Sequence, residues 1–454
     1  MVEGTERRNL SAAADLENGA PTAATPLLPP TAEGSNASHA SDDRNAGGSD
    51  SFSGALANVC MSMLGAGQLT LPYAMTRTGL AAGCITLGVL GMLGAYTLHA
   101  LDRVAAYSGG RTYGEVMRRC LGPRAAQVAD AMLAVYAFGG AVAFMMIASE
   151  ELRLLGNALL PPGHPLWEAD RRLLLGALSL ALVFPLSCFR SLGFLKPVST
   201  LGSVSAIFIT AVVVARAPWR HGALPACGGE RGALALWPRS AGEYIGAVPL
   251  FAFALNSAWS FVPIRTGLAK PTRARVVSLI ALSKALVLAN YFTIMVVGYL
   301  ALCGGDIADN VLDSLGNGAL VLLARSALSL QLALALPMRF LVARSVLLRG
   351  GLEGRPLAYY GTTLGLVGAS TLIACLTSSL HLVIGVTSAV CASALIYILP
   401  GAAHYATCCD QRAPPLSPGR LARALLLPAA AIALGSVLLT AGTVFNVLEG
   451  AGGG

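Results

Sequence analysis

The run from Asn58 to Tyr73, NVCMSMLGAGQLTLPY, lies inside an apolar stretch long enough to cross a bilayer, yet Gly65-Ala66-Gly67 and Pro72 interrupt it. Glycine weakens a helix, and proline removes a backbone donor. In hydrocarbon, backbone groups freed in this way must face protein or a polar cavity. A first span broken at such a place is a candidate ligand site, because discontinuous helices hold substrate and ions near the midplane of many secondary transporters. A dinucleotide-binding reading of GAGQLT fails, since the third glycine is missing and no strand precedes it.

The rest of the chain has to build a membrane fold around that break. Of the 454 residues, 55% are hydrophobic and 12% charged, against roughly 25% charged in a soluble domain. The pattern predicts an all-α multipass membrane protein with about 11 transmembrane helices, at 53–75, 79–101, 127–155, 172–189, 194–216, 241–263, 276–303, 318–347, 359–378, 381–402 and 421–446. Each is near the ~20 residues a crossing requires. Residues 1–50, rich in Ala, Gly, Ser, Asn, Thr and Pro, read as a disordered cytoplasmic tail, 51–446 as the transmembrane domain and 447–454 as a short flexible C-terminal tail. No cleavable signal peptide is expected, because Glu3, Glu6, Arg7 and Arg8 precede no apolar core.

The net charge of +8 comes from basic residues in short loops, which points to membrane orientation and away from nucleic acid as a partner. With the N-terminus inside, 17 Lys and Arg fall in cytoplasmic loops and 8 in loops of the opposite face. That asymmetry places the N-terminus in the cytoplasm and the C-terminus on the opposite face. Cys227 and Cys303 share the outer face and are candidates for a disulfide, while most other cysteines read as small packing residues.

A second interruption matches the first. The sixth span, VPLFAFALNSAWSFVPI, carries Pro249 and Pro263 and a polar middle at Asn256 and Ser257. Two broken helices five spans apart predict two inverted five-helix repeats and one additional helix. An odd repeat length sets the two halves in opposite orientations, as inversion requires.

Asn58 and Gly65-Ala66-Gly67, followed by Leu71-Pro72-Tyr73-Ala74, resemble the first-helix signature of the amino acid/auxin permease family, which includes sodium-coupled neutral and vacuolar amino acid transporters. Phe251-Ala252-Phe253, Phe261-Val262-Pro263-Ile264 and Lys270-Pro271-Thr272 resemble its sixth helix and the loop after it. Pro337-Met338-Arg339 resembles its helix-eight motif, and Gly385-Val386-Thr387 with Leu399-Pro400 its helix ten. The resemblance implies a LeuT-like fold of five-plus-five inverted repeats with discontinuous helices 1 and 6, and a free amino acid as substrate. On that basis Asn58, Ser62, Gly65, Ala66 and Gly67 form the first half of the site. Backbone N–H groups at 65–67 would meet a carboxylate, aided by the positive end of the following half-helix. Ala254 to Ala258 would turn carbonyls to the ammonium, Asn256 and Ser257 would add side-chain oxygens, and Trp259 would line the side-chain pocket or pack. A histidine common in this segment of the family is replaced by Ala258 or Asn256.

The same resemblance implies a sodium site from which this sequence departs. Where sodium-coupled members place an asparagine and a threonine, Met61 and Leu330 stand here. Neither offers the oxygen that a hard cation takes. Ser62, Ser326 and Ser329 remain to compensate, so proton coupling or exchange is favoured over sodium, with H+ or Na+ undecided. Lys284 and Arg325 lie inside spans, where a cation is a functional candidate by default. Asp130 and Glu150 are candidate partners or proton carriers, and snorkelling is the competing explanation. Neither HExxH, GxSxG nor CxxC occurs, so no enzyme, metal site or cofactor is expected. The expected activity is secondary active transport of amino acids by alternating access. Neutral substrates are favoured because few intramembrane charges remain to neutralise a charged side chain. An amino acid sensor with the same fold and little flux is the alternative. The plasma membrane and a vacuolar or lysosomal membrane both fit, and the sequence does not set the oligomeric state.

Overall fold

The computed structural model describes residues 50–159, 171–189, 196–218, 234–303, 307–316, 318–348, 354–377, 379–409 and 418–452. Nearly all of the expected tail 1–50, together with Cys227, lies outside them. Among the described residues the only strand-like pairing is one isolated bridge between Asp50 and Leu268.

The first span is three pieces. Ser51 caps α1 (Phe52–Met63) by accepting from the Gly54 N–H, a 3-10 turn covers Ala66–Gln68, and α2 (Leu71–Thr78) carries Pro72 in its first turn, where a missing N–H costs nothing. Helix α3 (Leu80–Ser108) ends at Gly109 in the left-handed conformation. The loop after it contains α4 (Tyr113–Leu121), an amphipathic helix the hydropathy reading missed because it carries Glu115, Arg118 and Arg119; Thr112 and Glu115 form its capping pair. Helix α5 (Pro123–Leu159) exceeds its expected span at both ends and packs most extensively against the helix at Ala319–Leu347.

Next come α6 (Arg171–Leu178) and α7 (Phe184–Ser187), joined by a π turn, and then α8 (Lys196–Arg216). The sixth span is again split, into α9 (Ala241–Ala254) and α10 (Ala258–Gly267). Four long helical stretches follow: α11 (Arg273–Ala301), α12 (Ala319–Leu347), α13 (Pro356–Leu376), and α14 (Leu380–Thr387) running through π turns into α15 (Leu399–Cys409). Helix α16 (Pro418–Gly452) continues through most of the segment expected to be a flexible C-terminal tail at 447–454.

Eight helices among the described residues are long and apolar enough to cross a membrane, and three shorter apolar helices accompany them at Phe52–Met63, Arg172–Ser187 and Thr200–Arg216. Lipid is as apolar as a leucine side chain, so helices in it associate through close packing and polar contacts. Glycines make that approach here. A Cβ on Gly91 would meet Leu288 at 2.6 Å, and one on Gly298 would meet Pro72 at 2.9 Å, which brings α11 against α3 and α2.

Arg325 is paired, but not with either carboxylate named from the sequence. Its Nη1 bonds Glu151 at 2.7 Å and Asp313 at 2.9 Å, while Glu150 pairs with Arg153 one turn away. One residue along a helix turns the side chain about 100°, so Glu151 faces the core where Glu150 does not. Cys303 is disulfide-bonded, and Cys227 lies outside the described residues.

Candidate functional site

Both interruptions leave helix-terminal backbone groups without partners in their own helix, and the two meet. Leu64 closes α1 with an N–H bond to Cys60 O, after which Gly65 runs extended into the 3-10 turn. Helix α9 closes at Leu255, and α10 restarts where Asn256 Oδ1 accepts from the Ala258 N–H at 3.2 Å. A Cβ on Gly67 would lie 2.8 Å from Ala254 Cα, so glycine is what lets the breaks touch.

Helix α11 ties the two breaks together. Tyr291 Oη lies 2.6 Å from Met63 O and 3.0 Å from Ala254 O, sharing its single proton between the ends of α1 and α9. Lys284 Nζ donates to Leu255 O at 3.0 Å and lies 3.3 Å from Met63 Sδ, buried and, among the described residues, paired with no carboxylate. Asn290 Nδ2 donates to Gln68 Oε1 at 3.1 Å. From α12, Gln331 Nε2 donates to Leu64 O at 3.1 Å. The carbonyls of Met63, Leu64, Ala254 and Leu255, at the ends of both half-helices, are thus bonded by side chains from two neighbouring helices.

A cavity of about 610 Å³ opens against the first break, lined by α1, α4, α5, α9, α10 and α12, and it reaches the surface at exposed Thr112 and Ser345. The volume lies within the range of small-molecule sites. Tyr136, Phe144, Phe253 and Trp259 supply aromatic wall, and Arg339 and Asp130 supply charge. Five of the nine buried side-chain polar atoms left without a partner among the described residues cluster around the breaks: Gln68 Nε2, Asn256 Nδ2, Ser257 Oγ, Trp259 Nε1 and Gln331 Oε1. Buried polar groups are normally bonded, so such a concentration marks a place built to receive a polar ligand.

The opposite side of the breaks is closed. The segment 307–316 sits on the first break, where Val311 N–H donates to Leu69 O at 3.2 Å. Asn310 and Asp313 of that segment join the Glu151–Arg325 cluster, and Asp309 pairs with His381 at 3.0 Å while Tyr73 of α2 stacks on the His381 ring at 5.1 Å. Burial pushes the Asp309 carboxyl up, but its bonds from His381 outweigh this and hold it below its ordinary value. Burial also drives the Asp313 carboxyl, which has the opposite net direction, above its ordinary value despite Arg325.

Of the expected site residues, Asn58, Ser62, Gly65, Ala66, Gly67, Trp259 and Asp130 line the cavity. Ala254, Asn256, Ser257 and Ala258 lie buried behind it at the second break, and Lys284 bridges to that break from α11. Ser326 and Ser329 bond carbonyls of their own helix at 2.9 Å, and Ser326 is exposed. Leu330 is 52% exposed on the outer flank of α12, and the Met61 sulfur packs over Gly202 of α8, where a Cβ would lie 2.1 Å from it. Sequence reading missed Tyr136, Phe144, Asn290, Tyr291 and Gln331. They are ordinary residues inside uninterrupted helices, and only the packing of α5, α11 and α12 brings them to the breaks.

Two interrupted helices are thus clamped by a neighbour, with a ligand-sized cavity at the interruption. The family profile described as transmembrane amino acid transporter protein matches residues 48–417. The chain belongs to that family, which is one of transporters and not of enzymes. It is 27% identical over 311 residues to sodium-coupled neutral amino acid transporter 7 of Danio rerio, covering 67% of this chain and 65% of that relative. It is 26% identical over 300 residues to solute carrier family 38 member 8 of Homo sapiens, covering 65% of this chain and 68% of that one. Among solved structures, MhsT in complex with L-phenylalanine matches with a TM-score of 0.51 and 14% identity, over 87% of this chain and 97% of that one. This last likeness shows the fold, which is the LeuT-like arrangement expected from the sequence.

Proposed function

We propose that the chain is a secondary active transporter of neutral amino acids, binding its substrate at the breaks of the first and sixth spans. The observation that carries this reading is the contact of the two breaks at Gly67 and Ala254, beside a cavity where buried polar atoms lack partners. The N–H groups of Gly65–Gly67, in the turn that leads into α2, suit a carboxylate, and Ser257 Oγ beside the end of α9 suits an ammonium. With the N-terminus in the cytoplasm, the cavity mouth at Thr112 and Ser345 faces the cytoplasm and the segment 307–316 closes the other side. That is one end state of alternating access, and ligand binding shifts the population between end states.

Coupling to protons, or exchange, is favoured over sodium. Leu330 points away from the first break, Met61 offers sulfur, and Ser326 and Ser329 are committed to their own helix. Lys284 instead sets an ammonium on the Leu255 carbonyl, where a cation between the two breaks would sit. The membrane is the plasma membrane or a vacuolar or lysosomal one, with residues 1–50 as a cytoplasmic tail. Equilibrium binding of labelled glutamine to purified protein, compared with a Gly67→Ala variant, tests the site. Binding by the wild type that the variant loses supports it; equal binding by both refutes it.

A further inference from the structure

Two charged residues line the cavity, Asp130 and Arg339, and Arg339 is the cation. Arg339 reaches into it from α12, with its guanidinium carbon 4.0 Å from the centre of the Phe144 ring and 5.9 Å from that of Tyr136. The space exists because residue 140 is glycine: a Cβ there would fall 1.9 Å from Arg339 Nη1. Among the described residues, the ion pairs of Arg119, Arg153, Arg265 and Arg325 leave no carboxylate on Arg339. Arg325, on the same helix, shows the contrast, with Glu151 and Asp313 both on its guanidinium.

A guanidinium stays charged and presents a planar fork that matches a carboxylate two bonds at a time. The Phe144 face attracts it without using an N–H donor, and the bond to Tyr136 leaves further donors of the guanidinium edge for a ligand. The ring that carries it also touches the first break, since a Cβ on Gly65 would lie 3.4 Å from Phe144 Cζ. A ligand whose α-carboxylate sits at Gly65–Gly67 therefore has its side chain beside Phe144, on the way to Arg339. In the sequence Arg339 stands out only as part of the Pro337-Met338-Arg339 motif.

We propose that Arg339 is a second carboxylate subsite, which takes the side-chain carboxylate of an acidic amino acid while the α-carboxylate occupies the first break. This rests on the transporter reading and widens its substrate class from neutral to acidic amino acids. Phe144 and Gly140 act as positioning residues, one under the guanidinium and one making room for it.

Glutamate and glutamine differ by a carboxylate for an amide, so they isolate the subsite. Equilibrium binding of each labelled ligand is measured on the purified full chain, for the wild type, Arg339→Gln, Arg339→Lys and Gly140→Ala. The wild type is expected to bind both. Arg339→Gln is expected to lower the glutamate-to-glutamine affinity ratio by at least about tenfold, the scale of a lost hydrogen-bonded charge pair. Arg339→Lys keeps the charge and loses the fork, and so falls between. Gly140→Ala displaces the guanidinium without removing it and lowers the same ratio, which carries the test if Arg339→Gln does not fold. A wild type that binds glutamine but not glutamate overturns the proposal, as does an unchanged ratio in Arg339→Gln and Gly140→Ala. A wild type that binds neither ligand overturns the transporter reading as well, so the two failures are distinguishable.

Discussion

Replacing Gly67 with alanine tests whether contact between the breaks is what makes the site. The added Cβ would lie 2.8 Å from Ala254 Cα, 3.0 Å from its Cβ and 3.2 Å from its N. Carbon atoms rest about 3.5–4.0 Å apart, so the two half-helices must separate by roughly 1 Å, and the obstacle is backbone that no rotamer change can move aside. Overpacking of this kind costs about 1–3 kcal/mol. Since every 1.4 kcal/mol is a factor of about ten in affinity, ligand binding should weaken by roughly 5- to 150-fold. Gly65→Ala is the matched control. Its Cβ would meet nothing nearer than Phe144 Cζ at 3.4 Å, and its backbone is extended at φ −161. Equilibrium binding and proteoliposome uptake, normalised to folded protein by size exclusion, should show a severe loss for Gly67→Ala and a mild one for Gly65→Ala. Equal effects, or the reverse order, would refute the argument.

Tyr291→Phe removes the hydroxyl shared by Met63 O and Ala254 O, which should destabilise the fold by about 1–3 kcal/mol through two poorly satisfied carbonyls and is read by thermal denaturation. Arg325→Ala strands buried Glu151 and should cost about 3–5 kcal/mol, whereas replacing the pair together should cost less; a double-mutant cycle on melting temperature checks this. Lys284→Ala should abolish acceleration by a proton gradient in vesicle uptake, and a variant still accelerated like the wild type removes Lys284 from coupling. Asp309 contributes stability that is fully present above its ordinary value of 3.8 and lost as pH falls through its lower native value, so Asp309→Asn should flatten acid denaturation in that window.

How much of this was legible in the sequence follows from what each feature does to the backbone. Gly65–Gly67, Pro72, Pro249 and Asn256 break a hydropathy run that would otherwise be continuous, so both interruptions and their spacing could be read directly. Asp130 also reads as a candidate, and it does line the cavity. Lys284 could not be told from a snorkelling residue, because only the position of α11 against both breaks shows that its ammonium is held by Leu255 O. Tyr291 and Gln331 sit in helices with no local irregularity, and nothing but packing distinguishes them from lipid-facing polar residues. Glu151 was one helical step from the carboxylate chosen, a difference that hydropathy does not resolve. Leu330 shows the limit of motif spacing: counting back from Pro337 lands on the exposed flank of α12 and not beside the first break.

The most direct measurement is uptake of a labelled mixture of neutral amino acids into proteoliposomes, under a proton gradient and separately under a sodium gradient. The account predicts uptake that a proton gradient drives, or that internal unlabelled amino acid trans-stimulates, with no requirement for sodium. Uptake that appears only with a sodium gradient would contradict the coupling argument built on Met61, Leu330 and Lys284. No uptake under any condition, with no binding of amino acid to the purified protein, would contradict the transporter reading itself.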